Sequence, residues 1–268
     1  MALTLHGGGA GTLWANSAQA VIWHDLECGR YRADLPLWVE LADRAEAPRG
    51  SGPILEVGCG TGRVALELAR IGHRVSALDL DGQLLGALRE RAGGLPVQTV
   101  QADARDFTLE HTAHALCIVP MQTLQLLGGA PGRARFLARA HAHLRAGGLL
   151  ACAIVTELDP FDCRAGDPQP TAEQVRLGEL RYSSRALSVT VSGRRGIIER
   201  ERRITPVGSA HAPVPPAAPA ELNVVVLDLL STRELQQEGA RAGFTPAGVR
   251  EVEPTADHVG SQVVLLRA

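Results

Sequence analysis

The sequence predicts an α/β protein built on a doubly wound, mainly parallel sheet with helices on both faces. From residue 54 onwards, short apolar segments typical of buried strands alternate with helical segments, and the links between them are short. The strands are almost continuously apolar, which is typical of strands covered on both faces. A glycine-rich turn follows the first strand. Ligand sites in such sheets lie at the carboxyl ends of the strands.

The predicted elements follow one another regularly as far as residue 157. Each strand is recognised by its β-branched and aliphatic residues, and each helix by apolar residues at a spacing of three and four. Ala146-Gly147-Gly148 marks the turn into the last strand of this region. We predict strands at 53–58, 73–79, 97–103, 115–120 and 149–155, and helices at about 62–71, 82–92 and 133–144.

The regions on either side of this core differ in pattern. Residues 13–47 hold four of the nine aromatic residues and include a helical run at 35–45. Residues 158–183 are polar and predict irregular structure, whereas 186–193 and 197–204 alternate as a hairpin that turns at Arg194-Arg195-Gly196. A Pro- and Ala-rich stretch at 206–220 precedes a strand at 222–230. A helix capped by Ser231 or Thr232 and strands at about 248–252 and 262–267 complete the chain.

The composition excludes several functions. All 27 basic residues among the 268 are arginines, so a lysine Schiff base and a Gly-Lys-Ser/Thr phosphate loop are absent. The net charge of −2 does not favour nucleic-acid binding. Five scattered cysteines without a Cys-x-x-Cys pair predict free thiols and no metal site. Without a signal peptide or a long apolar stretch, we expect a cytoplasmic protein with no membrane partner.

The most informative segment is Leu55-Glu-Val-Gly-Cys-Gly-Thr-Gly-Arg63. Three alternate glycines, Gly58, Gly60 and Gly62, follow a strand and open a helix, so the backbone can approach a ligand closely. A dinucleotide site requires Gly-x-Gly-x-x-Gly, and Arg63 occupies the position of its third glycine. The spacing therefore disfavours a nicotinamide-dependent oxidoreductase, which stays open as an alternative.

The segment from Glu56 to Gly62 resembles the first motif of the class I S-adenosylmethionine-dependent methyltransferases, (Glu/Asp)-x-Gly-x-Gly-x-Gly. The resemblance covers about residues 50–157 well and 231–268 in part. It implies a seven-stranded Rossmann-like sheet, S-adenosylmethionine as cofactor and S-adenosylhomocysteine as product. The implied contacts are the loop itself, including Cys59, Asp79 for the ribose hydroxyls, Leu80 against the adenine, Asp103 and Ala104 at the adenine edge, and the Val119 carbonyl for the methionine amine.

These carboxylates also have structural interpretations. The cofactor carries an amine and a ribose but no phosphate, so a site for it needs acidic groups. Asp79 and Asp103 could instead cap helices or turns. Glu56 could organise the loop or meet a helix terminus, and we do not expect a direct contact from it.

The resemblance also narrows the acceptor. Residues 119–123 read Val-Pro-Met-Gln-Thr and lack the Asn/Asp-Pro-Pro-aromatic motif of nucleobase amino-methylating enzymes, and the lysine tetrad of ribose methylation is impossible. The small-molecule branch of the family remains, with an oxygen or nitrogen acceptor of natural-product type and no metal. It implies four segments: a helical lid at 1–49, a cofactor-binding core at 50–157, an antiparallel insertion that caps the substrate at 158–230, and a C-terminal part at 231–268.

Within this scheme, His24 is the candidate general base, since an imidazole there could accept a proton at neutral pH. His258 is expected at a sheet edge remote from the cofactor, and the clustered hairpin arginines on a solvated face.

A non-catalytic nucleoside-binding subunit and an RNA methyltransferase remain alternatives, and we expect a monomer or homodimer. The candidate acceptor contacts are Tyr31, Met121, Gln122, Gln125 and Phe161, and the histidines expected at the surface are His73, His111, His114, His141 and His143.

Overall fold

The computed structural model describes residues 10–46, 52–110, 113–207, 219–255 and 258–268. The chain divides into a core unit, residues 31–157 and 228–268, and an accessory unit, residues 1–30 and 158–227. The predicted segment 1–49 is therefore shared between the two units. No described helix has the length and apolar character needed to cross a lipid bilayer.

The helices are α1 (Ala10–Glu27), α2 (Leu35–Glu46), α3 (Arg63–Arg70), α4 (Gly82–Ala92), α5 (Gly129–His143) and α6 (Thr232–Arg241). The strands are β1 (Ile54–Val57), β2 (Val75–Asp79), β3 (Val97–Gln101), β4 (His114–Val119), β5 (Leu144–Ile154), β6 (Phe161–Asp162), β7 (Glu173–Leu177), β8 (Leu180–Ser192), β9 (Arg195–Pro206), β10 (Glu221–Asp228), β11 (Thr245–Val252) and β12 (Ser261–Arg267). Short 3-10 turns lie at Thr123–Leu126 and Cys163–Ala165.

The core unit is built on a seven-stranded sheet in the order β11-β12-β5-β4-β1-β2-β3. Strands β1 to β5 are parallel, while β12 runs antiparallel to both β5 and β11. The central strands β1 and β4 are buried along their whole length, which explains why they are apolar except for Glu56 and His114. The fold class predicted from the sequence is confirmed.

The helix boundaries follow local capping chemistry. Asp81 accepts hydrogen bonds from the amides of Gln83 and Leu84 at the start of α4, and Ser231 forms a capping box with Glu234 at the start of α6. Helix α5 begins at Gly129, four residues before the predicted start. Pro131 falls in its first turn, where amide hydrogens have no helical partner, so the proline does not interrupt the helix.

Three histidines expected at the surface are buried, and that prediction is wrong for them. His114 lies between the carbonyl of His143, 3.1 Å from its Nδ1, and the hydroxyl of Ser76, 3.3 Å from its Nε2. The Nε2 of His143 accepts from the Leu109 amide at 3.0 Å. His73 lies 3.0 Å from Asp43. Each of these rings has at least one polar partner on another element, which its position in the sequence does not reveal. His111 lies outside the described residues.

The accessory unit contains an antiparallel sheet in the order β10-β9-β8-β6, with β7 paired to β8. The prediction of irregular structure over 158–183 is wrong for β6, β7 and the first part of β8. Gly178 has a φ of 61° and turns β7 directly into β8, with Leu177 paired to Leu180. Gly193, with a φ of 58°, makes the next turn, one position before the predicted one. A glycine first in a two-residue turn supplies the positive φ that a tight hairpin needs.

Helix α1 packs on this sheet through an aromatic and ionic cluster. The rings of Trp23 and Tyr182 meet edge to face at 5.4 Å, and the Arg202 guanidinium lies over Trp23. Arg202 donates to both carboxylate oxygens of Glu27, at 2.8 and 2.7 Å. Burial opposes ionisation of Glu27, but Arg202 and Ser184 outweigh it and lower its pKa. Arg200 pairs with Glu173, so the expected solvated arginine face is wrong for Arg200 and Arg202.

Candidate functional site

The glycine loop, residues 58–62, connects β1 to α3 at the carboxyl edge of the core sheet. Gly58, Gly60 and Gly62 all have positive φ, at 74°, 53° and 92°. The amides of Gly58 and Cys59 donate to the carbonyl of Leu78 on the neighbouring strand. A Cβ on Gly62 would collide with Leu88. Both conformation and packing therefore require glycine here.

Asp79, at the end of β2, anchors this loop. Its Oδ2 accepts from the Gly60 amide at 2.8 Å, and its Oδ1 accepts from the Asp81 amide at 2.9 Å. The carboxylate is thus held beside the loop, with lone pairs left for further donors. Leu80 follows with its side chain 55% exposed, so it is available to contact a ligand.

Glu56 lies beneath the loop and is buried. Its carboxyl accepts the amide of Ala65 in the first turn of α3, where Gly62 has no side chain to cap the helix. Its Oε2 has no hydrogen-bond partner among the described residues. Burial raises the pKa of Glu56 to about 8, although Arg63 acts in the opposite direction. Burial also raises the pKa of the neighbouring Cys59 thiol.

Arg63 and Asp34 form a buried ion pair that the sequence did not indicate. Both terminal nitrogens of Arg63 donate to the Asp34 carboxylate, at 2.5 and 2.8 Å. Trp38 donates to the same carboxylate at 2.8 Å, and Arg63 also donates to the Tyr31 carbonyl at 3.0 Å. In the sequence, only its position directly after the glycine loop singles out Arg63 as a residue near the site. Asp34 is distant in sequence, and only folding reveals it as the partner.

The Tyr31 ring lies against the Arg63 guanidinium and the His258 imidazole, both in the core unit. Its ring centroid lies 5.2 Å from the Arg63 guanidinium carbon and 4.8 Å from the His258 ring. Its hydroxyl is buried without a hydrogen-bond partner among the described residues. Burial, and then the charge of Asp34, raise the pKa of Tyr31. As expected, His258 lies between the two strands at the sheet edge away from β1 and β2. The β11–β12 connection lies at the carboxyl edge of β5, and there His258 stacks on Tyr31, a contact that the sequence did not indicate.

Asp103 and Ala104 follow β3 at the same edge of the sheet. Asp103 accepts from the Arg105 amide at 2.8 Å and pairs with the Arg105 guanidinium. This pairing lowers the pKa of Asp103 to about 2. The carboxylate is about a third exposed and keeps acceptor capacity, whereas Ala104 is buried.

The chain leaves β4 through a strained turn. Val119 is fully buried, and Met121 has a φ of 54°, a conformation that is uncommon outside glycine. The Thr123 hydroxyl donates to the Pro120 carbonyl at 3.2 Å. The Thr123 side chain also occupies the space where a Cβ of Gly58 would lie. The turn and the glycine loop therefore fit each other only because residue 58 lacks a side chain.

Gln125 does not belong to the exposed part of this turn, contrary to the expectation from sequence. It is 1% exposed, and its amide donates to the Val155 carbonyl at 2.9 Å while accepting from the Val155 amide at 2.8 Å. Its Nε2 also donates to the Asp228 carbonyl. The side chain is committed to the backbone of the residue that follows β5 and of the last residue of β10. Gln122 is partly exposed.

The other predicted acceptor residues lie in the accessory unit. His24 is half-buried on α1, and Phe161 begins β6. Their proposed roles stay predictions. Within the described part of the chain, no three His, Cys, Asp or Glu side chains group as metal ligands would.

Comparison with known families agrees with this geometry. Residues 54–148, which include the glycine loop, Asp79 and Asp103, match the family model of the methyltransferase domain. Together with the observed sheet order, this match confirms the resemblance seen in the sequence. Within the core unit, residues 54–148 are thus similar to a methyltransferase domain.

Solved methyltransferases share the fold over nearly the whole chain. The amino pentose methyltransferase CalS10 of Micromonospora echinaspora, which is involved in calicheamicin biosynthesis, is 21% identical with a TM-score of 0.64, covering 98% of this chain and 100% of its own. The sugar N-methyltransferase KedS8 of a Streptoalloteichus species is 17% identical with a TM-score of 0.65, covering 100% and 98%. At these identities the likeness concerns the fold.

Curated relatives match over shorter segments. The cypemycin N-terminal methyltransferase of a Streptomyces species is 34% identical over 80 residues, 30% of this chain and 31% of that protein. An rRNA adenine N-6-methyltransferase of Streptomyces fradiae is 33% identical over 128 residues, 48% of this chain and 38% of that protein. The chain thus spans about a third of the length of these relatives.

Proposed function

We propose that the protein transfers a methyl group from S-adenosylmethionine to an oxygen or nitrogen of a small molecule of natural-product type. The observation that carries this proposal is the glycine loop tied to Asp79 at the carboxyl edge of the sheet. The amino pentose methyltransferase and the sugar N-methyltransferase that share the fold favour a sugar or an amine as the acceptor.

The residues of the site fit this cofactor. Its ribose hydroxyls and adenine amino group need acceptors, and the core unit supplies Asp79 and Asp103 for them. The guanidinium of Arg63, directly after the loop, is engaged by Asp34, so it is not free to pair with a pyrophosphate. The arrangement therefore suits a nucleoside without phosphates better than a dinucleotide.

The cofactor supplies an electrophilic methyl group on a sulfonium. The protein contributes binding and alignment, since an in-line displacement gains most from holding the reacting atoms close. Asp79 positions the loop, and Met121 and Gln122 form the strained turn beside it. A base is needed only where the acceptor must lose a proton, and His24 is the candidate for that role. We propose that the reaction needs no metal.

Binding and turnover together test the proposal. Calorimetry with S-adenosylmethionine, S-adenosylhomocysteine and NAD should show binding of the first two only. Labelled cofactor offered with amino sugars, phenols and amines should then label a small product, with EDTA making no difference. NAD binding alone would favour an oxidoreductase. Cofactor binding without any product would favour a nucleoside-binding subunit, and salt-sensitive labelling of RNA would favour an RNA methyltransferase.

A further inference from the structure

Glu56 is a buried acid that lacks the partners an ionised carboxylate requires. The side chain is 2% exposed, Ala65 provides one backbone donor, and Oε2 has no partner among the described residues. An ionised carboxylate in such a site carries a large desolvation cost unless a cation pairs with it. Protonation removes that cost.

A cation is close to Glu56 but is held by another acid. Arg63 is near enough to act on Glu56 electrostatically, yet both of its terminal nitrogens donate to Asp34. Trp38 and the Tyr31 carbonyl fix the two members of that ion pair from either side. The pairing is bidentate and buried, so Arg63 is not free to turn towards Glu56.

The other charged groups around Glu56 are negative: Asp34 acts on it from the start of α2 and Asp79 from the end of β2. The neighbouring Cys59 thiol is neutral, because burial raises its pKa. Tyr31 lies on the far side of the ion pair, in contact with Arg63. Of these three carboxyl groups, only Asp34 accepts hydrogen bonds from Arg63, so Glu56 has no direct contact with that guanidinium.

We propose that Asp34 is a positioning residue that holds Arg63 away from Glu56, so that Glu56 stays protonated in the free protein and releases its proton when a cationic cofactor binds. The inference rests on the proposed function, because it takes the bound molecule to be S-adenosylmethionine, whose sulfonium and ammonium outnumber its one carboxylate. The proton leaves the Glu56 carboxyl for solvent, and no other bond changes.

This arrangement makes cofactor affinity depend on pH. Between about pH 6 and 7, the dissociation constant should fall by close to tenfold for each unit of pH, which is the slope expected when one proton is released. The slope should decrease towards about pH 8, where half of the free molecules have already lost this proton. At about pH 7, with a pKa of about 8, Glu56 is protonated in most free molecules. Close to one proton should then be released for each cofactor bound.

The test is titration calorimetry of the full chain with S-adenosylmethionine at about pH 7, in buffers that differ in ionisation enthalpy. The measured heat of binding changes in proportion to the ionisation enthalpy of the buffer, and the slope gives the number of protons released. Glu56→Gln keeps a hydrogen-bond acceptor for Ala65 but has no proton to release, so its proton count should fall to near zero. Asp34→Asn frees Arg63 to pair with Glu56, so it should also reduce the count. Glu67→Gln, which removes a half-exposed partner of Arg70 on the same helix, should leave the count unchanged.

The outcomes separate the two proposals. Wild-type protein that binds the cofactor without net proton release would overturn this inference alone, and that measurement needs no substitution. Release that persists in Glu56→Gln would overturn it as well, because the proton would come from another group. Absence of cofactor binding to the wild type would overturn the proposed function together with the inference. An unchanged count in a folded Asp34→Asn protein would remove the role of Asp34.

Discussion

Thr123 fills the space that a side chain on Gly58 would need: a Cβ built on Gly58 would lie 2.6 Å from the Thr123 hydroxyl oxygen. A Cβ carbon does not approach another side chain so closely, and Gly58 also has a φ of 74°. The loop after β1 and the turn after β4 are therefore matched at one position. Substitutions at Gly58 should disturb both.

Gly58→Ala should abolish measurable cofactor binding, because the added methyl displaces either the loop or the Thr123 turn. Gly72→Ala is the matched control, since Gly72 also has a positive φ, at 104°, but has open space around it. Backbone strain alone should cost the control about 1–2 kcal/mol of stability. Calorimetry and thermal unfolding of both variants separate strain from packing. Equal effects on binding would contradict the argument.

Asp79→Ala should weaken cofactor binding by about 1–3 kcal/mol, the usual range for losing hydrogen bonds to a charged group. The variant loses the acceptor for the Gly60 amide as well as any ribose contact. Asp79→Asn keeps one oxygen and should lie between the alanine variant and the wild type. Dissociation constants measured by calorimetry check the series, and three equal values would mean that the carboxylate has no part in binding.

The stability of the core unit should decrease as pH rises through the titration of Glu56. Its pKa is about 8 in the folded protein and 4.5 ordinarily, so the folded state holds one proton more than the unfolded state between these values. This contribution is fully present below pH 4.5 and is lost as pH rises through about 8. Thermal unfolding across this window should show a smaller slope in Glu56→Gln than in the wild type. Identical slopes would show that Glu56 is ionised throughout.

Gln125→Leu should lower the free energy of unfolding by about 1–3 kcal/mol or more, because the Val155 amide and carbonyl would be buried without partners. Gln122→Leu is the control, since Gln122 has the same chemistry at a partly exposed position three residues away. It should change stability little. Urea unfolding of the two variants compares them directly, and a stable Gln125→Leu protein would return Gln125 to the candidate acceptor contacts.

His24→Gln should flatten the acidic limb of the pH dependence of kcat/KM if His24 is the general base. Glutamine preserves size and polarity but does not titrate in this range. His211→Gln provides the comparison, since His211 is a histidine of the predicted insertion at 158–230 and lies outside the described residues. A pH profile that His24→Gln leaves intact would exclude His24, and an altered profile in His211→Gln would transfer the role.

The periodic segments allowed much of the core to be predicted. Continuous apolar strands such as Ile54–Val57 and His114–Val119 can be stable only when covered on both faces, so their pattern indicates a parallel sheet. The accessory unit was harder to predict. Strand β7 is rich in polar residues, and its place depends on the turn at Gly178 and on pairing with β8. Pairing with β8 makes this segment a strand although its own sequence has only a weak preference for β-structure.

The sequence by itself determined the glycine loop, Asp79 at the end of its strand, and hence the class of ligand. These features are local, because a positive φ and a strand end depend on neighbouring residues. Only the tertiary structure decided that Asp34 pairs with Arg63, that Gln125 forms hydrogen bonds with the backbone of Val155, and that His258 stacks on Tyr31. Burial and partner choice depend on residues up to 227 positions apart, such as Tyr31 and His258. For Glu56, the linear pattern shows neither its burial, which raises its pKa, nor the pairing of the nearby Arg63 with Asp34.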